Sequence, residues 1–167
     1  MRRAFLAILL LMVAAGAAGA APFEPDDPLY VKHQWYGAVL NLPDAWSYSL
    51  GSSAVIIAVL DTGVMTDTPD LAGRLLPALS ATGSPPLDGT THHHGTWVSS
   101  VVAMGVGNGQ GGAGVGNFSI LPITVTNAAG NNTSEWIAAG IRMAADAGAR
   151  VINVSHLTLR FGRRIQF

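Results

Sequence analysis

The sequence contains no cysteine, and only 11% of its 167 residues are charged, against 49% that are hydrophobic. The absence of cysteine excludes a disulfide scaffold and any thiolate-based zinc or iron–sulfur site. The composition excludes an intrinsically disordered chain, because such chains are rich in charge and poor in apolar residues. The length is that of one ordinary domain with a core of its own.

Basic residues are scarce and lie mostly at the two ends of the chain. Residues 21–159 hold four basic and ten acidic side chains, a formal charge of −6. Nucleic-acid binding needs clustered Lys and Arg against the phosphates, so no nucleic-acid partner is expected. An acidic region of this kind favours a cation as partner instead.

Residues 1–20 have the pattern of a secretory signal peptide. A short positive start precedes an apolar run over residues 4–15, and Ala18-Gly19-Ala20 fits the cleavage rule for small residues. A transmembrane anchor is the alternative, but this run is short for a hydrocarbon core of ~30 Å. We therefore expect a secreted or periplasmic chain with no stable membrane insertion after cleavage.

Strands and helices alternate along the rest of the chain. Apolar runs at 54–60, 119–126 and 151–155 predict strands buried on both faces, as in a parallel sheet. Residues 94–104 and 133–147 predict helices between them. This order predicts an α/β fold with three layers, in which helices cover both faces of a mostly parallel sheet.

Local signals refine this prediction at four places. Pro122 argues against a central position for the second strand, because proline cannot donate to a strand ladder. Asn132 is the expected N-cap of the second helix, and Gly148 is its expected stop. Residues 105–116 contain seven glycines and predict a loop with unusual backbone angles.

Asp61 and His94 are the candidate catalytic residues. Asp61 ends the first buried strand, and ligands of open α/β sheets bind at the carboxyl ends of the strands. His94 lies 33 residues later, where a helix begins. A buried carboxylate bonded to one ring nitrogen fixes the tautomer of a histidine and leaves the other nitrogen to act as a base.

A different reading of the same region is a transition-metal site in a binding module. Its ligands would be His92, His93 and His94 with Asp61 and Asp88. Consecutive histidines cannot all face one ion from a regular strand or helix, so a solvated loop at His92 and His93 is the simpler interpretation.

Several ordered motifs resemble the subtilisin-like serine endopeptidases, and the thermitase-like branch most closely. Residues 58–64, Ala-Val-Leu-Asp-Thr-Gly-Val, resemble the aspartate motif of that family, and residues 94–98, His-Gly-Thr-Trp-Val, resemble its histidine motif. Residues 111–125 and 139–155 are similar to the loop, strands and helix that follow. The resemblance covers about residues 25–155, the N-terminal portion of the family's domain.

The resemblance implies roles for particular residues. Asp61 would orient the base and His94 would be the general base of a triad whose chain order is Asp, His, Ser. Gly130, Asn131 and Asn132 would pair with a polypeptide substrate as an added β-strand, and Ser155 would line the cleft.

The resemblance also implies a structural calcium ion. Asp27 and Asp70 match its carboxylate ligands, Asn108 matches an amide ligand, and Gln110 and Gly112 match ligands that bind through their carbonyls. This set is chemically suitable, because Ca²⁺ takes six to eight oxygen ligands of mixed kinds. A flexible loop beside two ordinary surface aspartates is the alternative.

The chain departs from the family at its C-terminal end. None of the 167 residues forms the Gly-Thr-Ser nucleophile motif. We assign residues 21–155 to the N-terminal part of a subtilisin-like peptidase domain that ends after about four strands, and 156–167 to an atypical tail consistent with a frameshift. The expectations are a serine endopeptidase by family, monomeric and inactive as written; the alternative is a catalytically inactive relic or a peptide- or metal-binding module.

Overall fold

The computed structural model describes residues 21–155; the proposed signal peptide and the 156–167 tail lie outside these residues. Three short helices open the described part, and a parallel sheet with two longer helices follows. The elements are α1 (Pro28–His33), α2 (Tyr36–Val39), α3 (Leu42–Tyr48), β1 (Ile56–Asp61), a 3₁₀ turn (Pro69–Leu71), β2 (Leu79–Ser80), α4 (His94–Ala103), β3 (Ser119–Thr124), α5 (Ser134–Asp146) and β4 (Val151–Val154).

The four strands form one parallel sheet in the order β2-β3-β1-β4. The central strand β1 aligns Asp61 with Thr124 of β3 and Leu60 with Val154 of β4. Because all strands run the same way, their carboxyl ends meet at one edge of the sheet. Asp61 and the residues that follow β3 and β4 therefore lie at the same edge.

The two faces of the sheet are covered by different helices. Ala58 and Leu60 of β1 point to the face that packs against α5, where Ala144 is fully buried. Ile57 and Val59 point to the opposite face, where Ala103 of α4 packs. This alternation follows from the two-residue repeat of a strand, and it confirms the predicted three-layer α/β fold.

Pro122 lies inside β3, which is a central strand, so the prediction drawn from Pro122 against a central position is wrong. Pairing on the β2 side is irregular there. Leu75 pairs with Ile120, and Leu79 pairs with Ile123. Between these two pairs the segment that leads into β2 advances four residues, whereas β3 advances three. A bulge of this kind leaves a gap in the ladder, where the missing N–H of proline is tolerated.

The structure corrects the predicted N-cap of α5 and confirms the residue that was predicted to end this helix. Thr133, not Asn132, is the N-cap: its hydroxyl accepts a hydrogen bond from the backbone N–H of Trp136 at 3.2 Å. Asn132 instead forms a β-bridge with Thr126. Gly148 has φ +79° and ends the helix as predicted, since glycine adopts this left-handed conformation without strain.

The N-terminal helices pack on the glycine-rich loop rather than on the sheet. Leu42 and Trp46 of α3 form a buried cluster with Val106 and Ala113 of the loop. The indole N–H of Trp46 also donates to the carbonyl of Val115 at 2.8 Å. Within residues 21–155, no helix is long and apolar enough to cross a membrane.

Candidate active site

Asp61 and His94 meet at the carboxyl edge of the sheet. The Nδ1 atom of His94 lies 2.9 Å from each carboxylate oxygen of Asp61. The Asp61 side chain is 1% exposed and that of His94 is 46% exposed. The carboxylate is therefore shielded from water, while the side chain of His94 is partly exposed.

Two glycines allow this approach. A Cβ on Gly95 would lie 2.2 Å from the carbonyl oxygen of Gly63 and 3.1 Å from the Cβ of Asp61. Gly63 has φ +92°, and a Cβ there would lie 2.1 Å from the carbonyl oxygen of Leu87. Only glycine fits at either position, so the backbone that follows β1 can lie directly against the first turn of α4.

Thr62 joins the segments that carry Asp61 and His94, and no motif in the sequence indicated this role. Its hydroxyl donates to the carbonyl of His92 at 2.8 Å and accepts from the backbone N–H of Gly95 at 3.0 Å. The backbone N–H of Thr62 itself donates to the Asp61 carboxylate at 2.7 Å. The position of Thr62 between Asp61 and Gly63 is the feature of the sequence that could have indicated it.

The predicted substrate-pairing residues lie on a tight hairpin, residues 126–132, next to this site. The N–H of Asn127 donates to the carbonyl of Asn131 at 2.9 Å, and Gly130 adopts φ +78° at the tip. His92 reaches the hairpin: its Nε2 lies 3.1 Å from the carbonyl oxygen of Ala128. The structure therefore places Gly130, Asn131 and Asn132 on a segment tied to the loop that carries His94.

Ser155 lies at the rim of a groove that also contains His94. Ser155 directly follows β4, and its hydroxyl accepts a hydrogen bond from the side-chain amide of Asn153 at 2.9 Å. The groove has a volume of about 390 Å³ and is mainly apolar; it is lined by His94, Trp97, Val98, Val101, Val102, Asn153 and Ser155. The structure thus brings Ser155 to the same cleft as the Asp61–His94 pair.

The glycine-rich loop closes over two buried aspartates. Asp27 is fully buried, and its two oxygens accept from the backbone N–H groups of Gly107 at 2.7 Å and Asn108 at 3.0 Å. Asp70 accepts from the side-chain amide of Asn108 at 2.8 Å and from the N–H of Gly112 at 3.0 Å. Four of the five predicted calcium ligands therefore cluster here.

Gln110 completes the cluster, because its backbone N–H donates to the side-chain oxygen of Asn108 at 2.9 Å. Within residues 21–155, no basic side chain forms an ion pair with Asp27 or Asp70. Two buried carboxylates without a basic partner, beside the side-chain amide of Asn108, offer oxygen ligands that suit a hard cation such as Ca²⁺.

The three consecutive histidines point in different directions. His92 contacts the hairpin, the ring of His93 lies 6.2 Å from that of Trp97, and His94 contacts Asp61. In the described part of the chain, no group of three or more His, Cys, Asp or Glu side chains is placed to hold a metal ion. The structure therefore does not bring these side chains together as a transition-metal site, and His92, at a partly exposed position, contacts the hairpin.

The comparisons with known proteins agree with this geometry. The family model described as "Subtilase family" matches residues 52–158, which include the first three residues of the 156–167 segment. Thermitase of Thermoactinomyces vulgaris is 34% identical over 134 residues, which cover 80% of this chain and 48% of thermitase. A thermophilic serine proteinase of Bacillus sp. (strain AK1) is 37% identical over 139 residues, which cover 81% of this chain and 34% of that protein.

Solved structures agree as well. The chain resembles MycP1 with its N-terminal propeptide removed at a TM-score of 0.60 and 26% identity, covering 79% of this chain and 41% of MycP1. It resembles the S218A mutant of the PatA protease domain at a TM-score of 0.54 and 29% identity, covering 65% of this chain and 41% of that one. The chain thus spans less than half the length of these relatives.

Proposed function

The chain belongs to the subtilase family, and from this premise we propose that residues 21–155 form the N-terminal part of a serine endopeptidase domain that acts on exported polypeptides. The distance of 2.9 Å between His94 Nδ1 and the Asp61 carboxylate is the observation that supports the proposal most directly. A name among the relatives, the halolysin-like extracellular serine protease Nep of Natrialba magadii (32% identical over 139 residues), supports an extracellular location. Residues 1–20 would be the signal peptide.

His94 would be the general base. Because Nδ1 faces Asp61, Nε2 is the nitrogen that can take the proton of a serine hydroxyl as that oxygen attacks a peptide carbonyl. Asp61 would hold the ring in this tautomer and stabilise the imidazolium that forms. His94 would then give the proton to the leaving amine, which completes the acyl-transfer half of the reaction.

The hairpin would hold the substrate. An extended peptide that pairs with the main chain of Gly130, Asn131 and Asn132 would lie beside the Asp61–His94 pair, and its backbone hydrogen bonds would supply affinity without a demand on side chains. Ser155 would line the opposite side of the cleft. The proposed partner is a polypeptide, and the proposed form is a monomer.

A calcium ion would have a structural role. Asp27, Asp70 and Asn108 would bind it through side-chain oxygens, and Gln110 and Gly112 would bind it through their carbonyls. A bound divalent cation would supply positive charge to two buried carboxylates that have no basic partner among residues 21–155. It would thereby hold the glycine-rich loop against the N-terminal helices.

The nucleophile is the part of the triad that these 167 residues do not supply, because no Gly-Thr-Ser motif occurs among them. We propose that this polypeptide alone forms no acyl-enzyme and binds peptides without turnover. A serine-directed phosphonylating probe should leave the purified chain unlabelled. Stoichiometric labelling would show that another serine acts as the nucleophile.

A chimera tests the proposed roles directly. Residues 25–155 would replace the matching segment of thermitase, which shares 34% identity over 134 residues. We expect the chimera to hydrolyse peptides and the His94→Ala variant to lose nearly all of kcat, by about 10⁴-fold or more. His93→Ala is the matched control and should retain activity. Activity that survives His94→Ala would exclude His94 as the base.

A further inference from the structure

His92 is the residue of this region that the triad does not use. We propose that His92 is a positioning residue that fixes the 126–132 hairpin relative to the Asp61–His94 pair. The consequence for substrate binding rests on the proposed function, in which the hairpin pairs with the peptide; the fixing of the hairpin itself does not.

The ring of His92 makes two contacts with the hairpin. Its Nε2–H donates to the carbonyl of Ala128, with 3.1 Å between the nitrogen and the oxygen. The ring also lies against Gly130: a Cβ at that position would lie 3.3 Å from Cε1 and 3.4 Å from Nε2. The side chain is half-buried between the two loops. One hydrogen bond and one packing contact therefore hold the hairpin tip.

The backbone of His92 is anchored to the catalytic segments. Its carbonyl accepts from the hydroxyl of Thr62 at 2.8 Å, and the same hydroxyl accepts from the N–H of Gly95 at 3.0 Å. Thr62 follows Asp61 directly, and Gly95 follows His94 directly. The backbone of His92 is thus held by Thr62, which contacts the segments of both Asp61 and His94. The ring of His92 then holds the hairpin in a fixed position relative to these two residues.

The internal bonds of the hairpin set its shape but not its orientation. The side-chain oxygen of Asn127 accepts from the N–H groups of Ala129 at 3.1 Å and Asn131 at 3.0 Å. The backbone carbonyl of Asn127 accepts from the N–H of Gly130 at 2.9 Å. None of these bonds joins the tip to another part of the chain, so motion of an unrestrained tip would open them more often and let the Gly130 and Asn131 amides exchange. The contact with His92 restrains that motion, because it joins the tip to a different part of the chain.

Amide hydrogen exchange on the 167-residue chain tests this restraint. His92→Ala should speed exchange of the Gly130 and Asn131 amides about five- to tenfold, the effect expected when one neutral hydrogen bond and its packing are lost. His92→Gln should restore most of the protection, because its side-chain amide can donate to the Ala128 carbonyl. His93→Ala is the matched control and should leave both rates unchanged, since His93 contacts Trp97 instead.

Peptide binding gives a second readout. An acetylated, amidated hexa-alanine peptide should bind the chain, and His92→Ala should raise its Kd about five- to tenfold while the ¹H–¹⁵N spectrum of residues 56–61 stays unchanged. Unchanged exchange in His92→Ala, or no rescue by His92→Gln, would overturn the role of His92. If no variant binds the peptide but the exchange rates change as expected, the proposed substrate site fails and the role of His92 stands.

Discussion

Nδ1 of His94 lies 2.9 Å from both carboxylate oxygens of Asp61, although the two residues are 33 positions apart in the chain. One partner is buried at the end of a central strand and the other is half exposed at the start of a helix. This asymmetry suits an acid–base pair, because a buried carboxylate can orient the ring while the histidine side chain stays partly exposed.

Gly95→Ala should destabilise the fold by about 1–3 kcal/mol, since the new Cβ would overlap the carbonyl of Gly63. The predicted separation is 2.2 Å, and backbone cannot move aside as cheaply as the end of a flexible side chain. Urea unfolding followed by circular dichroism measures the change. Ser100→Ala, in the same helix, is the control and should cost little. A Gly95→Ala variant as stable as the original would mean that the two backbones can separate.

Calcium should stabilise the chain through Asp27 and Asp70. At a free concentration 100 times its Kd, a bound ion adds about 2.7 kcal/mol to the free energy of unfolding. Thermal unfolding with and without added Ca²⁺ should therefore show a rise in Tm that Asp70→Asn removes. Asp67→Asn replaces an exposed carboxylate three residues away and should keep the rise. An equal rise in both variants would place the ion elsewhere.

Replacement by alanine should affect the free energy of unfolding differently at two buried serines, Ser99 and Ser119. Within the described residues, the Ser99 hydroxyl has no hydrogen-bond partner, whereas that of Ser119 donates to the carbonyl of Ser53 at 2.7 Å. Ser99→Ala should leave the free energy of unfolding unchanged or raise it by about 1 kcal/mol, because it removes an unsatisfied polar group. Ser119→Ala should lower it by about 1 kcal/mol. Equal losses in denaturant unfolding would refute this distinction.

The pKa of Asp88 should rise when Thr90 is replaced by valine. The backbone N–H of Thr90 and then its hydroxyl hold the pKa of this exposed carboxyl below its usual range. The valine variant keeps the N–H donor and loses the hydroxyl, so only part of the depression should disappear. Carboxyl-carbon NMR titration measures the pKa, and Thr91→Val is the control.

The sign of the effect on stability follows from the direction of this shift. Because the pKa of Asp88 is lower in the folded state than in the unfolded state, its contribution is present above the unfolded value and is lost as pH falls through the folded value. In Thr90→Val the contribution should be smaller, and its loss should be complete at a higher pH. A titration curve identical to that of the original chain would show that the hydroxyl bond has no effect.

Much of the fold could be predicted from local patterns. The apolar run that contains Ile56–Asp61 lacks polar alternation, and such a run is stable only where both faces of a strand are covered. Gly148 ends α5 because its own backbone freedom permits φ +79°. The motifs around Asp61 and His94 were specific enough to predict the family. In each case the information lies within a few neighbouring residues.

The tertiary structure decided the features that depend on a distant partner. Pro122 is central because β2 and β3 pair with a bulge, and Thr133 replaces Asn132 as the N-cap because Asn132 bridges to Thr126. His92 contacts Ala128, 36 residues away, a choice that no periodicity or motif in its own loop encodes. Local sequence sets backbone preference and burial pattern, whereas the pairing of side chains from separate loops is settled only when the packed sheet brings those loops together.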